Sequence, residues 1–191
     1  MPARTSLNQV RIVGGQWRGR KLSFPDLPGL RPTPDRVRET LFNWLAPVIA
    51  GSRCLDLFAG SGALGFEAAS RGAAEVVLVE RDPAIAKSLR EQAQLLRAET
   101  VEIMQADALQ YLQGTPRKFD ILLLDPPFEK GLLESALAAL APDQLASVSW
   151  IYLEAERALG SEQLSALLPE GFELYRSKAT GQVGYHLARR L

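Results

Sequence analysis

Residues 53–65 read RCLDLFAGSGALG, and this stretch decides the fold. Its first half is mostly apolar and predicts a buried strand. Gly60, Gly62 and Gly65 follow at G-x-G-x-x-G spacing, and residues 61–70 predict a helix. A strand, a glycine-rich turn and a helix form the opening unit of a Rossmann-like βαβ arrangement. We therefore expect the next strand to lie parallel to this one in an α/β sheet.

The alternation of strands and helices continues to the C-terminus. Further strands are predicted at 75–80, 100–105, 119–124 and 148–154, and helices at 83–97, up to about 112, 130–141 and 161–168. Residues 172–179 and 183–189 flank a Gly-Gln turn and predict an antiparallel hairpin. The expected fold class is α/β, a Rossmann-like, doubly wound, mostly parallel sheet with a C-terminal antiparallel hairpin.

The N-terminal part has a different pattern. Residues 10–24 predict two short strands around a glycine-rich turn, and a Pro/Gly loop follows. Thr33 precedes Pro-Asp and is the expected N-cap of a helix that ends before Pro47. We therefore divide the chain into a basic N-terminal β-hairpin extension, 1–32, and a main domain with its leading helix, 33–191.

The zero net charge conceals an asymmetry along the chain. Residues 1–53 hold nine Lys/Arg against three Asp/Glu, and residues 54–191 hold thirteen against nineteen. A basic head on an acidic body fits either a polyanionic partner or a solvated surface without one. The candidate nucleic-acid contacts are Arg11, Arg18, Arg20, Lys21, Arg31, Arg36 and Arg38.

Other features narrow the class of protein. No apolar run reaches about 18 residues, so no transmembrane helix is expected, and residues 1–9 lack the apolar stretch of a signal peptide. The single cysteine, Cys54, excludes an internal disulfide and fits a reducing cytoplasm. Cys54 and His186 lie far apart, and no cluster has the spacing of a zinc site. We therefore expect a cytoplasmic protein with no metal.

Three acids come at the ends of successive predicted strands. A carboxylate at Asp56 would repel a pyrophosphate but attract an ammonium group, and S-adenosylmethionine carries an ammonium and no phosphate. Glu80 can accept hydrogen bonds from both ribose hydroxyls. Asp107 follows the third strand, where it would either meet an adenine amino group or cap a helix. The predicted cofactor site comprises Asp56, Phe58, Gly60, Ser61, Gly62, Glu80, Arg81, Asp107 and Ala108.

Two other classes of protein fit part of this pattern. The glycine spacing also suits a nicotinamide-dependent oxidoreductase, in which Glu80 would again bind a ribose. No catalytic constellation for that reaction is visible, and the only histidine, His186, falls in the last strand, where a structural role is expected. A non-catalytic RNA-binding module would not need the acid set.

The fourth buried strand runs into Asp125-Pro126-Pro127-Phe128. The prolines remove backbone amides and stiffen the strand end. The Asp125 carboxylate and the Pro126 carbonyl could accept the two hydrogens of an aromatic amine, which would direct the nitrogen lone pair at a methyl donor. Phe128 could stack on the ring. We predict that Asp125, Pro126 and Phe128 are catalytic; a proline-terminated strand with a core Phe is the structural alternative.

These segments resemble a known family. Residues 125–128 resemble the (Asp/Asn)-Pro-Pro-(Phe/Tyr) motif of amino-group methyltransferases. The segments 31–45 (RPTPDRVRETLFNWL) and 55–62 (LDLFAGSG) resemble the RsmD family of bacterial 16S ribosomal RNA guanine-N2 methyltransferases, and 11–21 (RIVGGQWRGRK) is similar to its N-terminus. The resemblance runs from about residue 10 to the C-terminus, and the motifs keep the family's order.

The resemblance implies more than the residues alone predict. It implies a class I methyltransferase fold, S-adenosylmethionine as cofactor, no metal, and methylation of guanine N2 in 16S ribosomal RNA. The enzyme would be a cytoplasmic monomer that acts on an assembling small ribosomal subunit. The same motif also serves adenine-N6 enzymes, and a close variant serves protein glutamine methylation. A DNA adenine enzyme usually needs a recognition domain that 191 residues cannot hold, and a protein substrate would leave the basic head unexplained.

Overall fold

The computed structural model describes residues 7–128, 131–141 and 145–191, without the side chains of 145–148. The predicted helix start at Lys130 lies outside these residues. The strands are β1 (Leu7–Arg11), β2 (Lys21–Pro25), β3 (Arg53–Asp56), β4 (Glu75–Glu80), β5 (Val101–Gln105), β6 (Phe119–Leu124), β7 (Leu145–Glu156), β8 (Phe172–Thr180) and β9 (Val183–Arg190). The helices are α1 (Asp35–Leu45), α2 (Ala63–Ser70), α3 (Pro83–Leu96), α4 (Ala108–Gly114), α5 (Leu132–Ala139) and α6 (Ser161–Leu167).

Seven strands form the main sheet in the order β5-β4-β3-β6-β7-β9-β8. The five strands from β5 to β7 pair in parallel, and β9 pairs antiparallel with both β7 and β8. The predicted α/β class, the mostly parallel sheet and the antiparallel C-terminal hairpin are confirmed. Parallel pairing brings the carboxyl ends of β3, β4, β6 and β7 to one edge of the sheet.

Apolar side chains alternate between two cores, one on each face of the sheet. Val76 and Leu78 of β4 face the core formed with α1, α2 and α3, whereas Val77 and Val79 face the core that includes residues of α4, α5 and α6. The period of two follows from the strand geometry. Helices on both faces explain why the central strands are apolar throughout.

The N-terminal strands β1 and β2 form a separate antiparallel sheet. Its apolar side chains nevertheless belong to the core of α1, α2 and α3; they are Val10, Ile12, Leu22 and Phe24. Hydrogen bonds connect the turn to α2, where the Ser70 hydroxyl donates to the Gly14 carbonyl at 2.6 Å and the Ser70 carbonyl accepts from the Gln16 amide at 2.8 Å. The division of the chain at residue 32 stays a prediction.

The predicted cap of α1 is wrong. The N-cap is Pro34, and no side chain caps the helix there. Thr33 is instead buried, and its hydroxyl lies among carboxyl oxygens of β7 and the β6 end. The extended backbone of Pro34, with ψ of 147°, separates Thr33 from the first turn. The helix ends at Leu45, before Pro47, as predicted.

Candidate active site

Four acids lie at the carboxyl edge of the parallel strands. Asp56 ends β3, Glu80 ends β4, and Asp125 follows β6. Leu124 and Leu153 are paired in the register of β6 and β7, so Glu154 stands level with Asp125. The fifth predicted strand ends at Glu154, but the sequence pattern assigns that residue no role. One feature of the sequence could have indicated a role for Glu154: it is an acid that follows the apolar run Ile-Tyr-Leu, at the sheet edge where the other acids lie.

The glycine loop between β3 and α2 is held by Glu80. Gly60 and Gly62 have φ values of 50° and 77°, in the left-handed region that favours glycine. The Glu80 carboxylate accepts from the Gly60 amide at 3.0 Å and from the Asp82 amide at 2.8 Å. Each carboxylate oxygen has a further lone pair, so Glu80 fits the predicted role toward ribose hydroxyls.

Asp56 lies beneath the loop. Its Oδ2 accepts from the Gly65 amide at 2.9 Å, while Oδ1 is buried and makes no hydrogen bond of ordinary geometry among the described residues, although the Phe58 amide is close enough to lower the pKa. Burial raises the pKa of Asp56 to about 7, with a smaller contribution from the charge of Glu80. A Cβ at position 65 would lie 2.7 Å from Leu78 Cδ1, so this close contact requires glycine. The orphaned oxygen fits a site that receives a cation, as the ammonium of S-adenosylmethionine would provide.

The rest of the predicted cofactor set lies around this edge with different exposure. Asp107 is exposed and caps α4, its Oδ1 accepting from the Leu109 amide at 3.0 Å and the Gln110 amide at 3.1 Å. The capping alternative is therefore confirmed, and a ligand contact through Oδ2 stays a prediction. Ser61 and Ala108 are buried, Phe58 is half-buried and Arg81 is exposed.

A hydroxyl stands between two carboxyl groups at the end of β6. Thr33 Oγ1 lies 3.2 Å from Asp125 Oδ2 and 2.9 Å from Glu154 Oε1. The Tyr152 hydroxyl donates to the same Glu154 oxygen at 2.8 Å. Thr33, Tyr152 and Glu154 are buried, and Asp125 is half-buried. The predicted catalytic Asp125 is therefore part of a network of four side chains.

Both carboxyl groups bind protons more tightly than ordinary acids. Burial raises the pKa of Asp125 well above its usual range, and the charge of Glu154 raises it further, while the Thr33 hydrogen bond lowers it. Burial also raises the pKa of Glu154, against hydrogen bonds from Tyr152 and Thr33. The pKa of Tyr152 is raised too, by burial and then by these two acids. Strongly perturbed acids beside a cavity are typical of functional sites.

The cavity beside this network has a volume of about 180 Å³, the scale of one planar heterocycle. Pro126, Pro127 and Phe128 line it, together with Glu154 and Leu159. The strand end thus brings two predicted catalytic residues, Pro126 and Phe128, to the cavity, with Glu154 among the other lining residues. Asp125, which precedes Pro126, is not among the residues that line it. An aromatic ring beside acceptor oxygens at one small cavity can bind the amino edge of a base.

The basic head is mostly exposed. Six of the seven predicted contacts are exposed: Arg11, Arg18, Arg20, Lys21, Arg31 and Arg36. Arg38 is a correction, because its side chain is fully buried and bonded to Glu67 at 3.3 Å, to the Arg11 carbonyl at 2.8 Å and to the Thr33 carbonyl at 3.0 Å. A guanidinium enclosed in this way cannot contact phosphate.

Other predictions concern metals, membranes and His186. Within the described residues, no group of three or more His, Cys, Asp or Glu side chains could hold a metal ion. None of the helices in that part of the chain is both long enough and apolar enough to cross a bilayer. His186 lies buried in β9, with Nδ1 2.9 Å from the Ser177 hydroxyl.

Comparison with known proteins gives relatives along nearly the whole chain. Ribosomal RNA small subunit methyltransferase D of Escherichia coli strain K12 is 48% identical over 192 residues, covering 99% of this chain and 94% of the relative. The protein of the same name from Haemophilus influenzae is 44% identical, covering 94% and 93%. These relatives do not favour the oxidoreductase alternative.

Solved structures show the same architecture. A structure described as putative methyltransferase yhhF from Escherichia coli has a TM-score of 0.86 at 44% identity, covering 96% of this chain and 98% of that one. The 16S rRNA N2 G1207 methyltransferase RsmC of Thermus thermophilus, in complex with AdoMet and guanosine, has a TM-score of 0.74. The match covers 100% of this chain and 52% of the RsmC chain at 24% identity, so it shows a similarity of fold alone.

The fold is thus that of the class I S-adenosylmethionine methyltransferases, as the motifs predicted. The family model described as Conserved hypothetical protein 95 matches residues 10–189. The chain therefore belongs to this family, the RsmD family that its motifs resemble.

Proposed function

We propose that the protein transfers a methyl group from S-adenosylmethionine to the exocyclic N2 of a guanine in 16S ribosomal RNA. The observation that carries the proposal is the rigid strand end Asp125-Pro126-Pro127-Phe128 beside a small cavity, in a chain 48% identical to a named small-subunit RNA methyltransferase. The loop that Glu80 holds lies at the same sheet edge, which suits transfer between two neighbouring ligands.

The cofactor side of the reaction rests on the residues beside the glycine loop. S-adenosylmethionine, when bound, supplies a methyl group on an activated sulfonium. Glu80 binds the ribose, and Asp56 supplies negative charge near the ammonium. Asp107 and the buried Ala108 remain candidates for the adenine end.

The acceptor side rests on the strand end after β6. Asp125 and the Pro126 carbonyl accept the two hydrogens of the guanine amine, and Phe128 supports the ring of a base held out of its stack. Two acceptors favour a pyramidal nitrogen with its lone pair directed at the methyl group. Positioning of the two reactants accounts for much of the acceleration, because an in-line displacement needs aligned partners. Asp125 receives the proton that the methylated amine releases.

The nucleic-acid side rests on the exposed basic residues of the hairpin and α1. Arg11, Arg18, Arg20, Lys21, Arg31 and Arg36 contact phosphates, with the salt dependence that counterion release produces. We infer a monomer that acts in the bacterial cytoplasm on an assembling small subunit. The family resemblance of the motifs supports guanine as the base, whereas adenine N6 is the alternative that the same motif allows.

The test uses purified protein, methyl-labelled cofactor and 16S ribosomal RNA from cells that lack the corresponding methyltransferase, offered both naked and in small subunits. We expect N2-methylguanosine in the digested RNA by mass spectrometry. Asp125→Ala should reduce turnover about 100-fold or more with little change in affinity for S-adenosylhomocysteine. Label on adenine N6 would overturn the choice of base, and full activity of Asp125→Ala would overturn the mechanism.

A further inference from the structure

The Thr33 hydroxyl has one proton for two carboxyl neighbours. Its oxygen lies within hydrogen-bond distance of Asp125 Oδ2 and of Glu154 Oε1, yet a hydroxyl can donate to only one of them at a time. The second contact is a hydrogen bond only if that carboxyl carries a proton and donates it to Thr33. The geometry therefore requires one proton on the pair if both contacts are hydrogen bonds.

The Tyr152 hydroxyl indicates where that proton resides. Tyr152 donates to Glu154 Oε1 at 2.8 Å, and Thr33 approaches the same oxygen more closely than it approaches Asp125. Two donors stabilise Glu154 as a carboxylate, so Asp125 holds the proton in the free protein and donates it to Thr33. No Lys, Arg or His side chain forms an ion pair with Asp125 or Glu154 among the described residues.

A protonated Asp125 cannot take up the proton that the methylated amine releases. Its Oδ1 can still accept a hydrogen of the amine, but a neutral acid is a weaker acceptor than a carboxylate. The proton must therefore leave Asp125 before that step, and the bridge offers a route. Asp125 passes its proton to the Thr33 oxygen while Thr33 passes its own to Glu154.

We propose that Glu154 is a positioning residue for Asp125: the two carboxyl groups hold one proton between them through the Thr33 hydroxyl, and Glu154 takes over that proton when Asp125 accepts a hydrogen of the target amine. The proposal deepens the proposed function and rests on it for the catalytic step. As the new nitrogen–carbon bond forms and the sulfur–carbon bond breaks, the nitrogen gains positive charge and gives one proton to Asp125. After transfer both carboxyl groups are protonated, and the pair returns to its starting state when one of the two protons is lost to solvent.

The charges around the pair set the sign of each test. Burial and the charge of Glu154 raise the pKa of Asp125, Asp56 of β3 raises it further, and Thr33 lowers it. For Glu154, Tyr152 and Thr33 lower the pKa against burial. Glu154→Gln should therefore lower the pKa of Asp125. If Thr33 only donated to the two carboxylates, Thr33→Val would raise the pKa of both groups. In the shared-proton arrangement Thr33 accepts from Asp125 and donates to Glu154, so Thr33→Val should lower the pKa of Asp125 and raise that of Glu154.

The first experiment needs no substrate. The side-chain carboxyl carbons of the free, ¹³C-labelled protein are titrated by NMR, and the wild type should show Asp125 and Glu154 titrating as a coupled pair above the ordinary carboxyl range. In Glu154→Gln the Asp125 midpoint should fall by about one pH unit or more, and in Thr33→Val it should fall while the Glu154 midpoint rises. Thr33→Ser, which keeps the hydroxyl, should restore the wild-type midpoint.

Matched controls are Glu162→Gln on α6 and Thr40→Val on α1, where the Thr40 hydroxyl donates to the Arg36 carbonyl away from the pair. An ordinary Asp125 midpoint in the wild type would overturn the proposal without any variant. Midpoints that stay fixed, or that rise for both carboxyl groups in Thr33→Val, would also overturn it. Amide spectra report whether each variant is folded.

The second experiment follows kcat against pH on the RNA substrate. The acidic limb should move to lower pH in Glu154→Gln, and kcat should fall in Thr33→Val because the proton then has no route from Asp125 to Glu154. KM for S-adenosylmethionine should be nearly unchanged in both variants. Limbs that do not move, in a wild type that methylates RNA, would overturn the role of Glu154 in the reaction. A wild type that shows the coupled titration but methylates no RNA would overturn the proposed function and leave the shared proton intact.

Discussion

Among the described residues, two clusters are built around carboxyl groups whose partners differ in kind: one contains Glu67, and the other contains Asp125 and Glu154. Glu67 of α2 is fully buried and receives two guanidinium groups, from Arg38 at 3.3 Å and Arg71 at 2.8 Å. Asp125 and Glu154 receive only hydroxyl groups among the described residues. A buried carboxylate with cations is stabilised as an ion, whereas one without cations competes for protons. We infer that the first cluster maintains the fold and the second serves chemistry.

The Glu67 cluster joins the N-terminal hairpin to α1 and α2. The Val13 amide donates to Glu67 at 2.8 Å, and Arg38 donates to the Arg11 carbonyl at 2.8 Å. Arg71 also packs so closely on Gly14 that a Cβ there would lie 2.3 Å from its guanidinium. The hairpin that carries the exposed basic residues is therefore held in place by a buried carboxylate whose charge is balanced by arginines.

Removal of the Arg38 side chain tests how strongly the buried Glu67 carboxylate depends on its two cationic partners. Arg38→Met leaves Glu67 with one of its two cations, and breaking a buried pair costs about 3–5 kcal/mol. We expect a fall of that size in the free energy of unfolding, measured in urea. A loss below about 1 kcal/mol would show that Arg71 and the Val13 amide suffice for Glu67.

Asp56 provides the second test, because it is a buried carboxyl group with no cationic partner among the described residues. Its pKa is about 7 in the folded protein and ordinary when unfolded, so the folded state binds the proton more tightly. Stability from this group is present below about pH 4 and is lost as pH rises toward 7. Asp56→Asn should therefore be less sensitive to pH over that window, by about 2–4 kcal/mol relative to the wild type.

The measurement is urea unfolding of both proteins at several pH values between 4 and 8. The difference between the two curves isolates Asp56 from Asp125 and Glu154, whose pKa values are also raised. Parallel curves for the wild type and Asp56→Asn would contradict the prediction.

The fold could be predicted from the sequence because the signals are local. The strands 75–80 and 119–124 agree with the structure residue for residue, since apolar runs bounded by turns fix them. The helix over 161–168 ends one residue early, where the chain turns extended at Leu168. The types of the secondary-structure elements thus follow from the spacing of the apolar residues and from the turn residues between the elements.

The site could be predicted only in part, because its missing members depend on tertiary packing. Asp56 and Asp125 stand beside recognisable motifs. Glu154 becomes visible only when β7 pairs in register with β6, and Thr33 looks like a helix cap until Pro34 separates it from α1. Arg38 carries a positive charge in a basic segment, and no local pattern reveals that Glu67 will enclose it.

Glu80 is a third kind of carboxyl group in this comparison, since it accepts hydrogen bonds from backbone amides rather than from cations or hydroxyls. Glu80→Ala removes a charged acceptor and releases the Gly60 and Asp82 amides. We expect affinity for S-adenosylhomocysteine to fall by roughly 1.5–3 kcal/mol in calorimetry. The control is Glu75→Ala on the same strand, far from the loop, at its opposite end. Unchanged affinity in Glu80→Ala would remove Glu80 from the cofactor site.

Arg36 gives the smallest effect and the closest matched pair, because it lies two residues from Arg38 on the same helix but is exposed. Arg36→Gln should change the free energy of unfolding by no more than about 0.5 kcal/mol. If Arg36 contacts a phosphate, the slope of log affinity for ribosomal RNA against log salt should become shallower by about one. Filter binding at several salt concentrations measures that slope, with Arg97→Gln at the exposed C-cap of α3 as the control for loss of charge alone. An unchanged slope would exclude Arg36 from the RNA contact, and a loss of stability as large as that of Arg38→Met would mean that exposure does not separate the two arginines.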